Sequence, residues 1–225
     1  EYCVVPEACV VSIDKNIDFK AAALVGCGVT TGVGAAIKTA SVEPGSTVAV
    51  FGCGGVGLNV IQGARIAGAS QVIAVDLSEE KMEIAKTFGA THSINPANPA
   101  HKEIKSLTNG IGVDYAFEVV GSGKLVEACF KSTRINGTTI LVGVGRAEDN
   151  FTINAMIMPF TGKTIKGSLY GNANFKVDFP MYLDLYKQGK LELDRLITRT
   201  YSIDEAPLAF EDLESGKNTR GVIIY

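Results

Sequence analysis

The sequence predicts an α/β protein built on a doubly wound parallel sheet, and three observations carry that expectation. Apolar, strand-like runs alternate with helix-compatible stretches of roughly 10 to 14 residues, the rhythm of strands joined by crossover helices. Thr47 to Ile61 reads TVAVFGCGGVGLNVI, an apolar run that ends in a glycine-rich turn and continues straight into a helix-like segment. A second apolar run, QVIAVDLS, ends on Asp76, about 20 residues beyond the glycines. Right-handed crossovers leave essentially the doubly wound arrangement for such a chain.

The elements follow in order. Residues 2–13 alternate loosely and are rich in Val, which predicts strands. From Phe19 the chain becomes Ala-rich, and two helical stretches are expected, joined near a corner at Gly26-Cys27-Gly28 and ended by Glu43-Pro44-Gly45. The regular alternation then begins: strand 47–51, helix 55–68, strand 71–75, helix 79–88, strand 92–94, a helix within 99–108, strand 113–118, helix 122–133 and strand 137–142. Past Gly145 the rhythm changes. Phe151 to Ile153 and Lys163 to Tyr170 read as strands around a short helix, and Phe175 to Gln188 as an amphipathic helix. The tail reads as strands 196–202 and 220–225 around helix 204–215, with Ser202 to Glu205 as a capping signal and Ser215-Gly216 as a stop.

Composition narrows the function. The 225 residues are 46% hydrophobic and 20% charged, enough for a full core. A net charge of −3 with no run of Lys and Arg argues against a nucleic-acid partner. No apolar run is read as a membrane span and no signal-peptide pattern opens the chain, so a cytoplasmic protein without a membrane partner is expected. Cys3, Cys9, Cys27, Cys53 and Cys129 are odd in number and form no Cys-x-x-Cys pair, so reduced thiols are expected rather than a disulfide framework or a complete zinc site.

The glycine turn carries the chemistry. Gly52 allows a tight turn, Gly54 lets the backbone approach a pyrophosphate, and Gly57 lets the helix pack close to the strand. Gly55 and Val56 open that helix, whose unpaired N–H groups face the phosphates. Asp76 can accept hydrogen bonds from the adenosine ribose. Its charge would repel the extra phosphate of NADP, and Leu77 and Ser78 follow it rather than an Arg, so NAD is preferred. Alternatively, Asp76 caps the helix that begins near Ser78 and Glu79.

The segment from Gly26 to Thr91, together with FEVVG, ILVGVG, TIKGSLYG and the closing SGKNTRGVIIY, resembles the medium-chain, zinc-dependent alcohol dehydrogenase family along the whole chain. The resemblance implies a remnant of a catalytic domain at 1–27, an NAD-binding domain at 28–170, and a segment at 171–225 that returns toward the catalytic domain. The short β segments outside the main sheet would then belong to a truncated catalytic domain, whose absent N-terminal part holds an earlier Cys and His ligand, the proton-relay Ser or Thr, and the structural zinc loop.

By resemblance, Cys27 is the remaining protein ligand of a catalytic zinc, where three ligands leave a position open to polarise an alcohol as alkoxide. On the residues alone, Cys27 is a small buried thiol. The resemblance places Thr31 near the nicotinamide face and Val56 behind the ring, pairs Asp76 and Lys81 at the adenosine ribose, and gives Val120, Val142 and Val144 to the adenine side, carboxamide and nicotinamide. Arg220 resembles an Arg that reaches the pyrophosphate. Without it, the valines are strand-end core and Lys81 and Arg220 solvated charges. His92 and His101 are read as structural or exposed rather than as ligands.

Val144, Met156, Pro159 and Leu169 resemble parts of a substrate pocket, and Phe151 to Ile153 with Thr164 to Tyr170 the sheet edge through which family homodimers join, unless a loop or helix covers it. The implied activity is NAD-dependent oxidation of a small alcohol to an aldehyde or ketone by hydride transfer, with NAD and zinc as cofactors. Two alternatives stand beside it: a nucleotide-binding module inactive by itself, and a zinc-free oxidoreductase similar to quinone reductases.

Overall fold

The computed structural model describes residues 2–96 and 99–225. The chain divides into two compact units, Thr31–Ala173 and, separately, Glu1–Thr30 with Asn174–Tyr225.

Among the described residues, Thr31–Ala173 holds six strands: β1 (Thr47–Phe51), β2 (Gln71–Val75), β3 (His92–Ile94), β4 (Val113–Glu118), β5 (Thr133–Leu141) and β6 (Thr164–Gly167). All pair in parallel in the order β3-β2-β1-β4-β5-β6, the open doubly wound sheet that the alternation predicts. In β1 and β2 every residue after the first is buried, which is why both read as continuous apolar runs. Helices Gly55–Ile66, Glu79–Thr87, Ala100–Leu107 and Gly123–Ser132 make the crossovers. Phe51, Ile73, Val75, Ile94, Ile104 and Ala116 form a continuous core with Cys129. Strand order reverses between β1 and β4, and that reversal opens a crevice at the carboxyl ends of the strands.

Local chemistry sets the helix ends. Ser78 caps Glu79–Thr87, its side chain accepting from the Lys81 N–H, with Glu79 and Glu80 in the first turn and Lys86 in the last, as the helix dipole favours. β5 begins at Thr133, four residues before the expected start, because pairing to β4 resumes across an irregularity between Val113 and Tyr115; Asn136, at φ 60°, takes up the turn.

Three expectations are corrected. Residues 2–13 form no strand; Glu7–Cys9 is a 3₁₀ turn, and Tyr2 and Val4 are exposed. Phe151 to Ile153 is also outside any strand. Neither segment has a neighbouring strand to complete a hydrogen-bond ladder, and alternation without a partner does not make a strand. The expected Gly26-Cys27-Gly28 corner is instead part of one helical run, Phe19–Ala40, in which Val25–Val29 and Ala35–Ala40 widen to π geometry. That run is long and apolar enough to cross a bilayer, contrary to the reading of the sequence, yet 61% of its apolar window is buried, as in a core helix.

In the other unit, β7 (Ile197–Ser202) and β8 (Arg220–Ile224) pair in parallel around helix Ala206–Glu214. The expected capping signal is present as a reciprocal box between Ser202 and Glu205. Tyr182, Leu183, Leu191, Leu193, Leu196 and Tyr201 supply buried apolar bulk. Asp212 is also buried, accepting from the Tyr201 hydroxyl at 2.8 Å and from Arg199 Nη1 at 2.7 Å, with Lys217 Nζ 3.5 Å away.

The Tyr201 hydrogen bond, aided by Arg199 and Lys217, holds the Asp212 carboxyl below the usual carboxylate range. A carboxylate with a depressed folded-state pKa stabilises the fold above its unfolded value, about 3.9, and that contribution disappears as pH falls through the folded value. Asp212→Asn should therefore lower the thermal midpoint at pH 7, with the gap from the parent closing in acid. Thermal denaturation followed by circular dichroism between pH 7 and 3 checks this; a gap independent of pH would assign the effect to packing.

Candidate functional site

The turn after β1 is shaped by one close approach. An ideal Cβ on Gly57 would overlap the carbonyl oxygen of Gly52, so only glycine lets helix Gly55–Ile66 start this near the strand. Gly52 takes φ +100°, outside the range of ordinary L-residues, and the Val120 side chain packs 2.7 Å from where its Cβ would be. Gly54 is different. It is exposed at the N-cap of the helix, and an added Cβ would meet nothing within 4 Å. The space beside it is open, in front of N–H groups that have no partner earlier in the helix, which is the donor geometry for an anion.

Asp76, at the carboxyl end of β2, faces this turn. Its Oδ2 accepts from the Cys53 N–H at 2.8 Å and its Oδ1 from the Ser78 N–H at 2.9 Å. The carboxylate thus braces the glycine turn against β2, while Ser78 is the helix cap; the capping role considered for Asp76 belongs to its neighbour. Lys81 is half-buried in the first turn of Glu79–Thr87. Burial, reinforced by the Asp76 charge, pushes the Cys53 thiol up to about 12, so this cysteine is an inert part of the turn.

Across the strand reversal, β4 ends on Glu118, which the reading of the sequence did not single out. It is 1% exposed, and its Oε1 accepts from the N–H groups of Val120, Gly121 and Ser122 at 2.9, 2.8 and 3.3 Å. Burial pushes its carboxyl above the ordinary value, against the pull of those three donors. The signal was a charge closing the apolar end of a strand, the Glu of VDYAFE. The clasp holds Val120 out at the mouth of the crevice, where it is 56% exposed; Gly121 packs on the carbonyl of Val144, whose side chain is 94% exposed. Val142 is buried and ties β5 to β4 through its N–H, 2.8 Å from the Glu118 carbonyl, so its side chain belongs to the core. Thr31 is half-buried beside Gly32, which packs on the Val56 carbonyl.

Within Thr31–Ala173 the structure brings Gly57 against Gly52, Gly52 against Val120, Val56 against Gly32 next to Thr31, Gly121 against Val144, and Asp76 onto the Cys53 N–H of the glycine turn. Met156, Pro159 and Leu169 are exposed, and the cavity of about 410 Å³ in this unit is lined by other residues.

Cys27 and Arg220 belong to the other unit, where they line one cleft of about 270 Å³ with Gly28 and Val222. Cys27 is exposed, which corrects the buried-thiol reading: the π turn Val25–Val29 carries it outward, anchored by the Thr30 hydroxyl donating to the Val25 carbonyl at 2.6 Å. The Arg220 guanidinium lies over the bare Cα of Gly28 and pairs with no carboxylate among the described residues. Cys27 offers zinc one donor of suitable chemistry. Among the described residues no group of three or more His, Cys, Asp or Glu is placed to hold a metal ion.

Comparison with known proteins agrees with this geometry. The family described as zinc-binding dehydrogenase matches residues 55–188. The S-(hydroxymethyl)glutathione dehydrogenase of Paracoccus denitrificans is 39% identical over 100% of this chain and 62% of its own length. The alcohol dehydrogenase B of Mycobacterium tuberculosis is 40% identical over 100% of this chain and 60% of its own length, so the chain spans about three-fifths of these relatives. Among solved structures, the benzyl alcohol dehydrogenase of Acinetobacter calcoaceticus superposes with TM-score 0.91 at 33% identity, covering 95% of this chain and 59% of that one. A zinc-binding dehydrogenase of Sinorhizobium meliloti, bound to NADP, superposes with TM-score 0.83 at 26% identity, covering 95% and 61%. With a doubly wound sheet, a glycine turn braced by Asp76 and a family match over more than half of its length, the chain belongs to the zinc-binding dehydrogenases.

Proposed function

We propose that this chain is the dinucleotide-binding part of an alcohol dehydrogenase that oxidises small alcohols with NAD and needs zinc. The open space beside Gly54, at the N-terminus of a helix held close by Gly57, is the observation that carries the proposal. When bound, a nicotinamide dinucleotide supplies the hydride acceptor. The residues present do the binding and orienting. The first N–H groups of Gly55–Ile66 take the pyrophosphate, the Asp76 carboxylate accepts from the ribose hydroxyls, and Lys81 adds a donor on the same side. Exposed Val120 and Val144 offer the apolar surface that flat rings need, with Val56 and Thr31 as further contacts; in the other unit, Arg220 would offer a phosphate donor and Cys27 would give zinc one thiolate. Cys27 is the one residue assigned to zinc, and no chemical step is routed through the metal.

Asp76 favours NAD, because a second phosphate on the ribose would approach a carboxylate already fixed by two N–H donors. The exposed edge strand β6 supports a homodimer joined there. That no group of three or more metal ligands comes together among the described residues favours a second reading, a nucleotide-binding module without turnover of its own. Titration with NADH, followed by nicotinamide fluorescence beside an alcohol-oxidation assay with added zinc, separates the two. Binding without turnover supports the module, and zinc-dependent turnover by these 225 residues rules it out.

Gly54→Ala should leave the melting temperature near the parent's yet weaken NADH binding about tenfold, since its Cβ fills only the ligand's space. Gly57→Ala should cost about 1–3 kcal/mol of stability through overpacking against the Gly52 carbonyl. Equal destabilisation by both would remove the distinction. Asp76→Ala should weaken NAD binding by roughly tenfold or more while NADP binding falls much less. If calorimetry finds equal losses, Asp76 acts only as the brace of the turn.

A further inference from the structure

The loop after β4 commits its N–H groups to the chain's own carboxylates. Glu118 Oε1 accepts from Val120, Gly121 and Ser122, and Asp149 Oδ1 accepts from Gly123 at 3.0 Å. Four successive N–H groups are therefore satisfied from within, and none of them is left to face a phosphate. Helix Gly55–Ile66 is the contrast on the other side of the strand reversal, since its first N–H groups have no partner earlier in the helix and open onto the space beside Gly54. One side of the reversal donates to anions, and the other offers only Val120.

The same residue fastens three strand ends. The Glu118 carbonyl accepts from the N–H groups of Val142 and Gly143 at 2.8 and 3.0 Å, which closes the end of β5 onto β4. The next N–H, of Val119, donates to the Phe51 carbonyl at 3.0 Å, at the end of β1. Gly121, at φ +91°, and Gly143 meet backbone to backbone: a Cβ on Gly121 would overlap the Val144 carbonyl, and one on Gly143 the Gly121 nitrogen. The Val120 side chain reaches to 2.7 Å from where a Cβ on Gly52 would stand. A shift of this loop is therefore passed to the glycine turn and, through backbone atoms that have no rotamer to yield, to Val144.

We infer that Glu118 is a positioning residue for nucleotide binding: its carboxylate holds loop 119–122 in the conformation that presents Val120 and Val144 to the uncharged rings of a dinucleotide. The inference rests on the nucleotide reading of this crevice. Glu118 is enclosed by the protein, so it acts through the loop and not by touching the ligand. Because the clasp is complete in the folded chain, the cost of ordering the loop is met on folding and does not reduce affinity. A single oxygen serves all three donors, so the reach of the side chain matters more than its charge.

Two variants separate reach from charge. Glu118→Gln keeps the length and an accepting oxygen and removes the charge, whereas Glu118→Asp keeps the charge and withdraws the oxygen by a methylene. Thr108→Val is the control for general destabilisation, because it strands the Gly112 N–H, held by the Thr108 hydroxyl at 2.9 Å, at the opposite end of β4. NADH affinity is read from nicotinamide fluorescence, melting temperature from circular dichroism, and exchange of the 120–122 amide protons from NMR. Glu118→Asp should weaken NADH binding about tenfold and speed exchange at all three amides, while Glu118→Gln stays within about twofold of the parent. Thr108→Val should bind NADH as the parent does, even where its melting temperature falls as far as that of Glu118→Asp. Unchanged affinity in Glu118→Asp, equal losses in the Gln and Asp variants, or an equal loss in Thr108→Val would each overturn the inference while leaving the nucleotide reading intact. A parent protein that binds no NADH overturns the nucleotide reading, and the inference with it.

Discussion

The approach of Gly57 to the carbonyl of Gly52 is the contact on which the rest of the crevice depends. Because no side chain intervenes, the helix starts directly above the end of β1, and its free N–H groups open into the space beside Gly54. A helix displaced by even one methyl group would turn those donors away from that space and separate Val56 from the backbone of Gly32. Packing density makes such positions intolerant, since the neighbouring atoms are the backbone itself and have no rotamer to yield.

Two carboxylates of different character hold the crevice around that contact. Asp76 is half-buried and divides its oxygens between the turn after β1 and the start of the next helix, so a ribose would meet a group whose direction is already set. Glu118 is fully buried and gives a single oxygen to three successive N–H groups, which fixes the loop that displays Val120. The first braces the glycine turn from a half-buried position and the second is enclosed by the protein. Their separation across the β1–β4 boundary follows from the strand order, which places the ends of both strands on one side of the sheet.

The six core strands and their crossover helices were legible because buried parallel strands write themselves as apolar runs: TVAVF and QVIAV became β1 and β2 at the expected bounds. Residues 2–13 and Phe151 to Ile153 carried the same kind of text and formed no strand, because a ladder needs a partner and periodicity does not say whether one is adjacent. The turn glycines and Asp76 were visible as a motif of fixed spacing, whereas Glu118 was not, since its three donors are loop N–H groups that sequence does not distinguish. Cys27 was read as buried and is exposed, because the wider π turn redirects its side chain by an amount no local residue preference announces.

By itself, the sequence determined what depends on neighbours along the chain: the alternation that makes the sheet, the glycine turn, the acid at the end of β2 and the capping box at Ser202. Tertiary structure decided what depends on distance through space. It gathered Lys105, Lys131 and Lys163 around one cavity in a chain that reads as acidic and without a basic run, and it set Tyr201, Arg199 and Lys217 around Asp212. Charges act through space over several ångströms, and side chains far apart in sequence share a field only once packing has fixed their positions.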